Sequence, residues 1–227
     1  MESKILKRAV YAVFVAGGSG TRMGGDVPKQ FIELNGVPIL QRSIERFLDA
    51  APEAKVITVL PPSHEDLWRS LCFSAAFSQT IVHGGLTRFH SVQNALSKVP
   101  DGAVAVIHDG VRPLFSTGLV ERMLEQMQDC PALIPVLPVT DTLRSTDPSL
   151  PDPDRSRLVA VQTPQMFWSE KLKEAYRQPY DTAFTDDASV VSRTGVPVRT
   201  VAGERFNLKI TTPEDLILAR AILASGC

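Results

Sequence analysis

An α/β domain with a mainly parallel sheet is the fold class this sequence predicts, on three observations. Short apolar runs alternate with amphipathic segments from Ala9 to Gln128, the pattern of repeated strand–helix–strand units. The runs are β-branched and bounded by turn residues, as buried strands are. Three polar motifs, at 17–30, 84–91 and 108–113, each follow such a run. In an open parallel sheet the carboxyl ends of the strands share one rim, and ligands bind there. The three motifs should therefore converge.

The elements follow in order. Ala9 to Ala16 is a strand leading into a glycine loop. Asn35-Gly36 is a turn signal, and Leu40 to Ala50 a helix whose Leu40, Ile44, Phe47 and Leu48 share one face. Lys55–Leu60 is a strand; Ser63 to Phe73 is a helix with Ser63 as N-cap and Asp66 third. Gln79–Val82 is a strand, Thr87–Val99 a helix, Ala103–Ile107 a strand and Ser116–Gln128 a helix. The alternation then breaks. Leu133–Val139 is apolar, but Thr140–Arg157 is polar and carries Pro148, Pro151 and Pro153. A segment of that length without secondary structure is uncommon in a compact domain and usually functional. Val159–Val161 resumes a strand, Ser169–Tyr176 is a helix, and Thr185 caps a helix through Ser192. Val196–Val201 and Phe206–Ile210 are strands. Thr212 caps the last helix, with Pro213 at its first position, Glu214 and Asp215 in its first turn, and Ala224 at its end.

Composition bounds the function. The chain has 227 residues, 44% hydrophobic and 22% charged, with net charge -1. That fits one globular domain over 1–227 with a sizeable core. No basic field argues for nucleic acid or an anionic membrane. The N-terminal apolar run is too short to span a bilayer and lacks a small-residue cleavage site, so a cytoplasmic protein is expected. Cys72, Cys130 and Cys227 form no Cys-x-x-Cys pair, which leaves zinc and redox readings weak.

The loop from Val13 to Gln30, VFVAGGSGTRMGGDVPKQ, carries the clearest chemistry. Five glycines fall within nine residues: Gly17, Gly18, Gly20, Gly24 and Gly25. Glycine lets backbone N–H groups approach a ligand closely, and successive N–H groups form an anion site. Arg22 and Lys29 add two cations. Two other glycine motifs are excluded. The dinucleotide fingerprint from Gly18 and Gly20 meets Met23 where its third glycine belongs, and no Gly-Lys-Ser/Thr triplet ends the loop. A polyphosphate is the ligand this loop suits.

AGGSGTRMGGDVPKQF followed by NGVPIL resembles the signature of nucleotidyltransferases that join an NTP to a sugar or polyol phosphate. GGLTRFHSV at 84–92, HDGVRP at 108–113, PVTDT at 138–142, QTPQMF at 162–167, FTDDASVV at 184–191 and NLKITTPEDL at 207–216 narrow it. Together, and in this order, they resemble the 2-C-methyl-D-erythritol 4-phosphate cytidylyltransferase family. The resemblance implies a single Rossmann-like nucleotidyltransferase domain with a mainly parallel mixed sheet and a protruding dimerisation arm, 140–157, that embraces a second subunit. It also implies CTP and a polyol phosphate as substrates and Mg²⁺ as cofactor. A cytidylyltransferase for another polyol phosphate, such as ribitol 5-phosphate, would share most of these motifs, and FTDDAS leans away from it. A dinucleotide-dependent oxidoreductase is disfavoured by the broken glycine frame. A non-catalytic nucleotide-binding regulator is disfavoured by Arg22, Lys29, Asp109 and Lys209 together.

In the implied reaction a phosphomonoester oxygen attacks the α-phosphorus of CTP and pyrophosphate leaves. The nucleophile is already an anion, so catalysis rests on positioning and charge stabilisation. No Gly-x-Ser-x-Gly elbow is present, consistent with this. Arg22 and Lys29 are expected at the triphosphate. Ala16, Gly17, Gly18 and Gly20 are expected to offer backbone contacts, although the family often has alanine at the position of Gly17. Gly85 and Ser91 match positions around the cytosine, and Leu86 stands where some members carry an acidic residue. Asp109, at a strand end, is the candidate for Mg²⁺, which takes one or two carboxylates plus phosphate oxygens. Arg88 is expected to pin its loop, and His108 to pack rather than catalyse. For the polyol phosphate the resemblance points to Lys209, Arg155 and Thr142, with Arg112, Thr163 and Thr185 as further candidates. Arg157 lies two residues from Arg155; the latter fits the family spacing, eight residues before Thr163.

Overall fold

The computed structural model describes residues 8–18, 27–72 and 77–226. Gly20, Arg22, Gly24 and Gly25 of the glycine loop, together with Phe73 and Cys227, lie outside the described residues. The chain runs β1 (Val10–Val15), β2 (Glu33–Leu34), β3 (Val37–Pro38), α1 (Ile39–Ala50), β4 (Lys55–Leu60), α2 (Glu65–Leu71), β5 (Gln79–His83), α3 (Arg88–Leu96) and β6 (Val104–Asp109). It continues through α4 (Thr117–Gln126), β7 (Ala132–Pro138), β8 (Val159–Val161), β9 (Gln165–Trp168), α5 (Ser169–Ala175), α6 (Asp187–Ser192), β10 (Arg199–Ala202) and α7 (Pro213–Ala224).

One sheet organises the molecule, in the order β10-β7-β9-β6-β1-β4-β5, with β8 beside β7. β1 runs parallel to β4 and β6, β4 to β5, and β7 to β10. β9 is antiparallel to both β6 and β7, and β8 to β7. Six strands therefore carry their carboxyl ends to one rim, and two run the other way. Every residue of β6 is buried, as a strand covered on both faces requires. In β1, successive side chains go to opposite faces. Val13 joins a core with Ile57, Phe89, Val92, Ile107 and Phe167. Phe14 joins another with Phe47, Trp68, Val106 and Met123. Phe47, on the inner face of α1, is fully buried against the Phe14 ring. Truncating it to alanine would cost about 3–5 kcal/mol. A third cluster, including Leu34, Ile39, Val111 and Ile210, seats the β2–β3 hairpin and α7. The hairpin turns at Asn35 and Gly36, both at positive φ (53° and 76°), as an Asn-Gly two-residue turn demands.

The structure corrects the sequence reading at several places. Ser63 does not cap α2. Pro62 opens a 3₁₀ turn that encloses Ser63, and the N-cap is His64, with no side-chain cap bond. Thr185 does not cap α6 either. Asp186 does, in a reciprocal box with Ser189, because a carboxylate is the better acceptor at a positive helix end. The strand expected over Val196–Val201 is confined to Arg199–Ala202, with Pro197, which has no N–H to donate, left outside it. Phe206–Ile210 is not a strand. Gln162 Nε2 donates to the carbonyls of Glu204 (2.8 Å) and Asn207 (3.2 Å), and Arg112 Nη1 also donates to Asn207 (2.8 Å). Within the segment, two side chains thus converge on the Asn207 carbonyl, an acceptor a ladder would have used. Finally, Gln165–Trp168 forms β9, absent from the sequence reading: four residues beginning with a glutamine give too short a pattern. The segment 140–157 has no strand, and its one regular feature is a 3₁₀ turn at Arg155–Arg157.

Candidate active site

At the shared rim a cavity of about 260 Å³ opens between the ends of β1, β5 and β6. Its lining includes Ala16, Gly17, Gly18, Lys29, Gly85, Ser91, Asp109 and Lys209, eight residues that the sequence reading singles out from four separate motifs. Parallel pairing of β1 with β6 brings Val15 opposite Asp109, which sets the glycine loop beside the acidic residue. Lys29 lies across the loop: a Cβ on Gly18 would stand 3.6 Å from its Cε. The loop between β5 and α3 closes on itself. Ser91 Oγ accepts the Gly85 N–H (3.0 Å) and donates to the Thr87 carbonyl (2.9 Å). A Cβ on Gly85 would collide with His90, so this turn requires glycine. Ser91 shapes the loop and keeps one acceptor lone pair. Leu86, 98% exposed, stands on the cavity edge.

Asp109 is the electrostatic centre. Its carboxylate meets Lys209 Nζ at 2.9 Å, Arg88 Nε at 3.5 Å and Arg112 Nε at 3.7 Å. Burial alone would raise its pKa; Arg88, Lys209 and Arg112 overcome that and hold the carboxyl well below the usual carboxylate range. Lys209 reaches it because the 204–211 segment is pinned to the rim. Asn207 Nδ2 donates to the Thr163 carbonyl (2.8 Å), and the Ile210 N–H donates to the Val111 carbonyl (2.9 Å).

His108 and Thr163 sit behind Asp109. His108 is fully buried, and burial pushes its pKa down to about 4. Its Nε2 donates to the Arg112 carbonyl (3.0 Å), which fixes the neutral tautomer and leaves Nδ1 to accept from the Thr163 hydroxyl (3.1 Å). Thr163 Oγ1 in turn accepts the Asp109 N–H (3.1 Å). His108 thus packs and hydrogen-bonds, and Thr163, 5% exposed, braces Asp109 from below. Arg112 is half occupied with structure, bonded to Asn207 and facing Asp109.

The remaining candidates are elsewhere. Thr185 is exposed one residue before the α6 cap. Thr142 and Arg155 are on the arm and do not line the cavity. Arg155 donates to the carbonyl of Thr140 (2.6 Å) and lines a separate hollow with Thr140, Leu158 and Thr200. Arg22 and Gly20 lie outside the described residues.

A divalent cation has a limited footing. Among the described residues no group of three His, Cys, Asp or Glu side chains converges. Asp109 offers a carboxylate at the cavity, kept ionised by its neighbours. That donor set fits a Mg²⁺ completed by phosphate oxygens of a nucleotide, and does not fit an all-protein cage.

Gln30 is a site residue the sequence reading missed. It is fully buried, lines the cavity, and donates to the Ala16 carbonyl (2.8 Å), fixing the first turn of the glycine loop. Its signal was its position directly after Lys29, in a run with no other reason to bury a polar side chain.

With this geometry in hand, comparison with known proteins is specific. The family model described as IspD, 2-C-methyl-D-erythritol 4-phosphate cytidylyltransferase, matches residues 10–225. A protein of that name from a strain of Porphyromonas gingivalis is 47% identical over 221 residues, covering 95% of this chain and 98% of its own. Another, from Symbiobacterium thermophilum, is 39% identical, covering 96% and 94%. The crystal structure of the Thermus thermophilus cytidylyltransferase superposes with a TM-score of 0.74 at 32% identity, over 96% of this chain and 99% of that one. The 4-diphosphocytidyl-2C-methyl-D-erythritol synthase from Anaerococcus prevotii gives 0.81 at 26% identity, over 96% of each chain. No helix among the described residues is long and apolar enough to cross a membrane. A glycine loop, a lysine-spanned cavity and a rim carboxylate ringed by cations, in a chain matched along almost its whole length, place this protein in the 2-C-methyl-D-erythritol 4-phosphate cytidylyltransferase family.

Proposed function

We propose that the chain transfers CMP from CTP to 2-C-methyl-D-erythritol 4-phosphate, releasing pyrophosphate, within isoprenoid precursor synthesis. The observation that carries this is the convergence of the glycine loop, Lys29, Asp109 and Lys209 on one cavity. The loop N–H groups and Lys29, with Arg22, hold the triphosphate and stabilise the charge that grows on the phosphoryl oxygens. The turn from Gly85 to Ser91 receives the cytosine, where a backbone-lined edge suits a pyrimidine. Lys209 and Arg112 hold the acceptor phosphate in line with the α-phosphorus, so attack needs only approach. Asp109, with phosphate oxygens, would hold the Mg²⁺. When bound, that ion would offset charge on the triphosphate.

The arm completes the acceptor side in a homodimer. Leu150 on the arm (60% exposed) and Val159 and Val161 at its foot (51% and 39%) form an apolar set that a second subunit would cover. Arg155 and Thr142, which do not line the chain's own cavity, would then serve the neighbour's.

Pyrophosphate release tests the reaction. Activity is expected with CTP and methylerythritol phosphate, and little with ATP, GTP or UTP. Preference for ribitol 5-phosphate would reassign the acceptor, and equal use of GTP would move the chain to another branch. Subunit mixing tests the arm. Lys29→Ala and Arg155→Ala homodimers should each be nearly inactive. Co-refolding equal amounts makes about half of the dimers mixed, each with one intact site, so activity should return to about a quarter of wild type. No recovery after verified exchange refutes the crossing arm.

A further inference from the structure

Arg88 lines the cavity, and behind it lies a buried pair, Asp187 and Tyr176, that the proposed reaction leaves without a role. Asp187, the first residue of α6, is fully buried and does not line the cavity. One of its oxygens accepts Arg88 Nη2 at 2.7 Å and the other accepts the Tyr176 hydroxyl at 2.6 Å. Tyr176 is 3% exposed. It is held in turn by stacking on Phe89 (centroids 4.6 Å apart) and by Gln93, whose Nε2 donates to the Tyr176 carbonyl at 2.8 Å. A buried carboxylate is costly unless fully paired, and an apolar residue would fill the space at less cost. This one holds a guanidinium whose Nε lies 3.5 Å from Asp109 Oδ1. The division on Asp109 is clean: Arg88 faces Oδ1, while Lys209 and Arg112 face Oδ2. Lys209 is 41% exposed and Arg88, anchored from behind, 31%.

We propose that Asp187 and Tyr176 are positioning residues of the transfer reaction, acting through Arg88 to fix the orientation of Asp109. Lys209 swings with the substrates it meets; Arg88 cannot, because Asp187 holds its far end. The Asp109 carboxylate therefore keeps one direction while the groups on its other oxygen exchange. The proposal rests on the reading of the cavity as the transfer site.

Steady-state kinetics and thermal unfolding of full-length variants test it. Asp187→Asn keeps the shape but cannot accept both donors as a carboxylate does. It should lower kcat by about 10- to 100-fold, the scale of a small misplacement in a site, while KM for CTP stays within about twofold, since nucleotide binding is not what is lost. Tyr176→Phe removes one hydroxyl and should lower kcat severalfold with little change in Tm. In an Arg88→Ala background, Asp187→Asn should cause no further fall in kcat, because the path to Asp109 is already cut. A wild-type kcat in folded Asp187→Asn, or equal falls in both backgrounds, overturns the proposal. Should Asp187→Asn fail to fold, full activity in Tyr176→Phe overturns it alone. The side-chain Nη2–H resonances of Arg88, which point at Asp187, give a readout that needs no turnover. They should be slow to exchange in the wild type and fast in Asp187→Asn. An inactive wild type with a protected Arg88 would refute the transfer reaction and leave the brace standing; an unprotected Arg88 in an active wild type would refute the brace and leave the reaction.

Discussion

The rim around Asp109 and the arm from 140 to 157 are both polar, and they are built in opposite ways. At the rim, the bracing contacts join distant parts of the chain. Thr163 and Asn207, Arg112 and Asn207, and Arg88 and Asp187 are 44, 95 and 99 residues apart. In the arm, partners are neighbours. Ser149 bonds to Asp147, Ser156 to Asp154, Arg144 to Asp152 and Arg155 to Thr140, at separations of 2 to 15 residues. The rim exists only when the whole sheet is in register, so its charges are held by the fold. The arm is shaped by itself and buries almost nothing. The proposed site, made of both, would thus join a rigid half with a half whose position is set by what it rests on.

That contrast can be broken at graded points. The largest effect is expected for Asp109→Ala, which abolishes turnover and strands three cations. Stability should fall by about 1–3 kcal/mol, below the full cost of breaking a buried pair because Lys209 and Arg88 keep part of their solvent, read by urea unfolding. Next comes acid. His108 has a depressed pKa, about 4 against its ordinary 6.5, so the unfolded chain binds its proton first. Its contribution is fully present above pH 6.5 and is lost as pH falls towards 4, by up to about 3 kcal/mol. Asp109, also depressed, adds a further loss only below the ordinary carboxylate range. Unfolding free energy should therefore slope between pH 6.5 and 4 in wild type and lie flatter in His108→Gln. Third, Lys29→Ala should cut kcat by about a hundredfold or more, as loss of one preorganised donor does, with Tm retained. A folded variant with near-normal turnover would remove Lys29 from the site. The smallest effect is expected in the arm. The Arg144–Asp152 pair is 80% and 52% exposed, so Arg144→Ala should change stability by less than about 0.5 kcal/mol. A larger change would mean that the arm is part of the folded core.

The same contrast explains what is legible in the sequence. Strand ends of a parallel sheet share a rim, so motifs following apolar runs predict a convergent site without any knowledge of contacts. Ala16, Gly17, Gly18, Lys29, Gly85, Ser91, Asp109 and Lys209 do converge. Local signals also serve where the physics is local, as in the Thr212 capping box and the Asn35-Gly36 turn. What escapes is set by distant partners. Nothing in QMFW reveals a strand between β6 and β7, since its pairing depends on both. Nothing near Asp187 reveals Arg88, and nothing near Gln162 reveals that it takes the carbonyls of 204 and 207. Phe206–Ile210 looks like a strand for the same reason: its apolar pattern is real, and the groups that divert its backbone lie elsewhere in the chain.

The reversed strand β8 has an effect on how this chain can change length. β7 leaves the sheet at the rim and β8 re-enters beside it, antiparallel, with Pro138 opposite Val159. Whatever lies between them is a closed excursion whose two feet stand next to each other. A loop with fixed feet grows at small thermodynamic cost, about 0.6 kcal/mol per doubling of its length. Residues added or removed within 140–157 shift no register, break no ladder and move neither foot. Reach is therefore a variable the molecule can tune separately from its scaffold, as a crane's jib can be changed without rebuilding its tower.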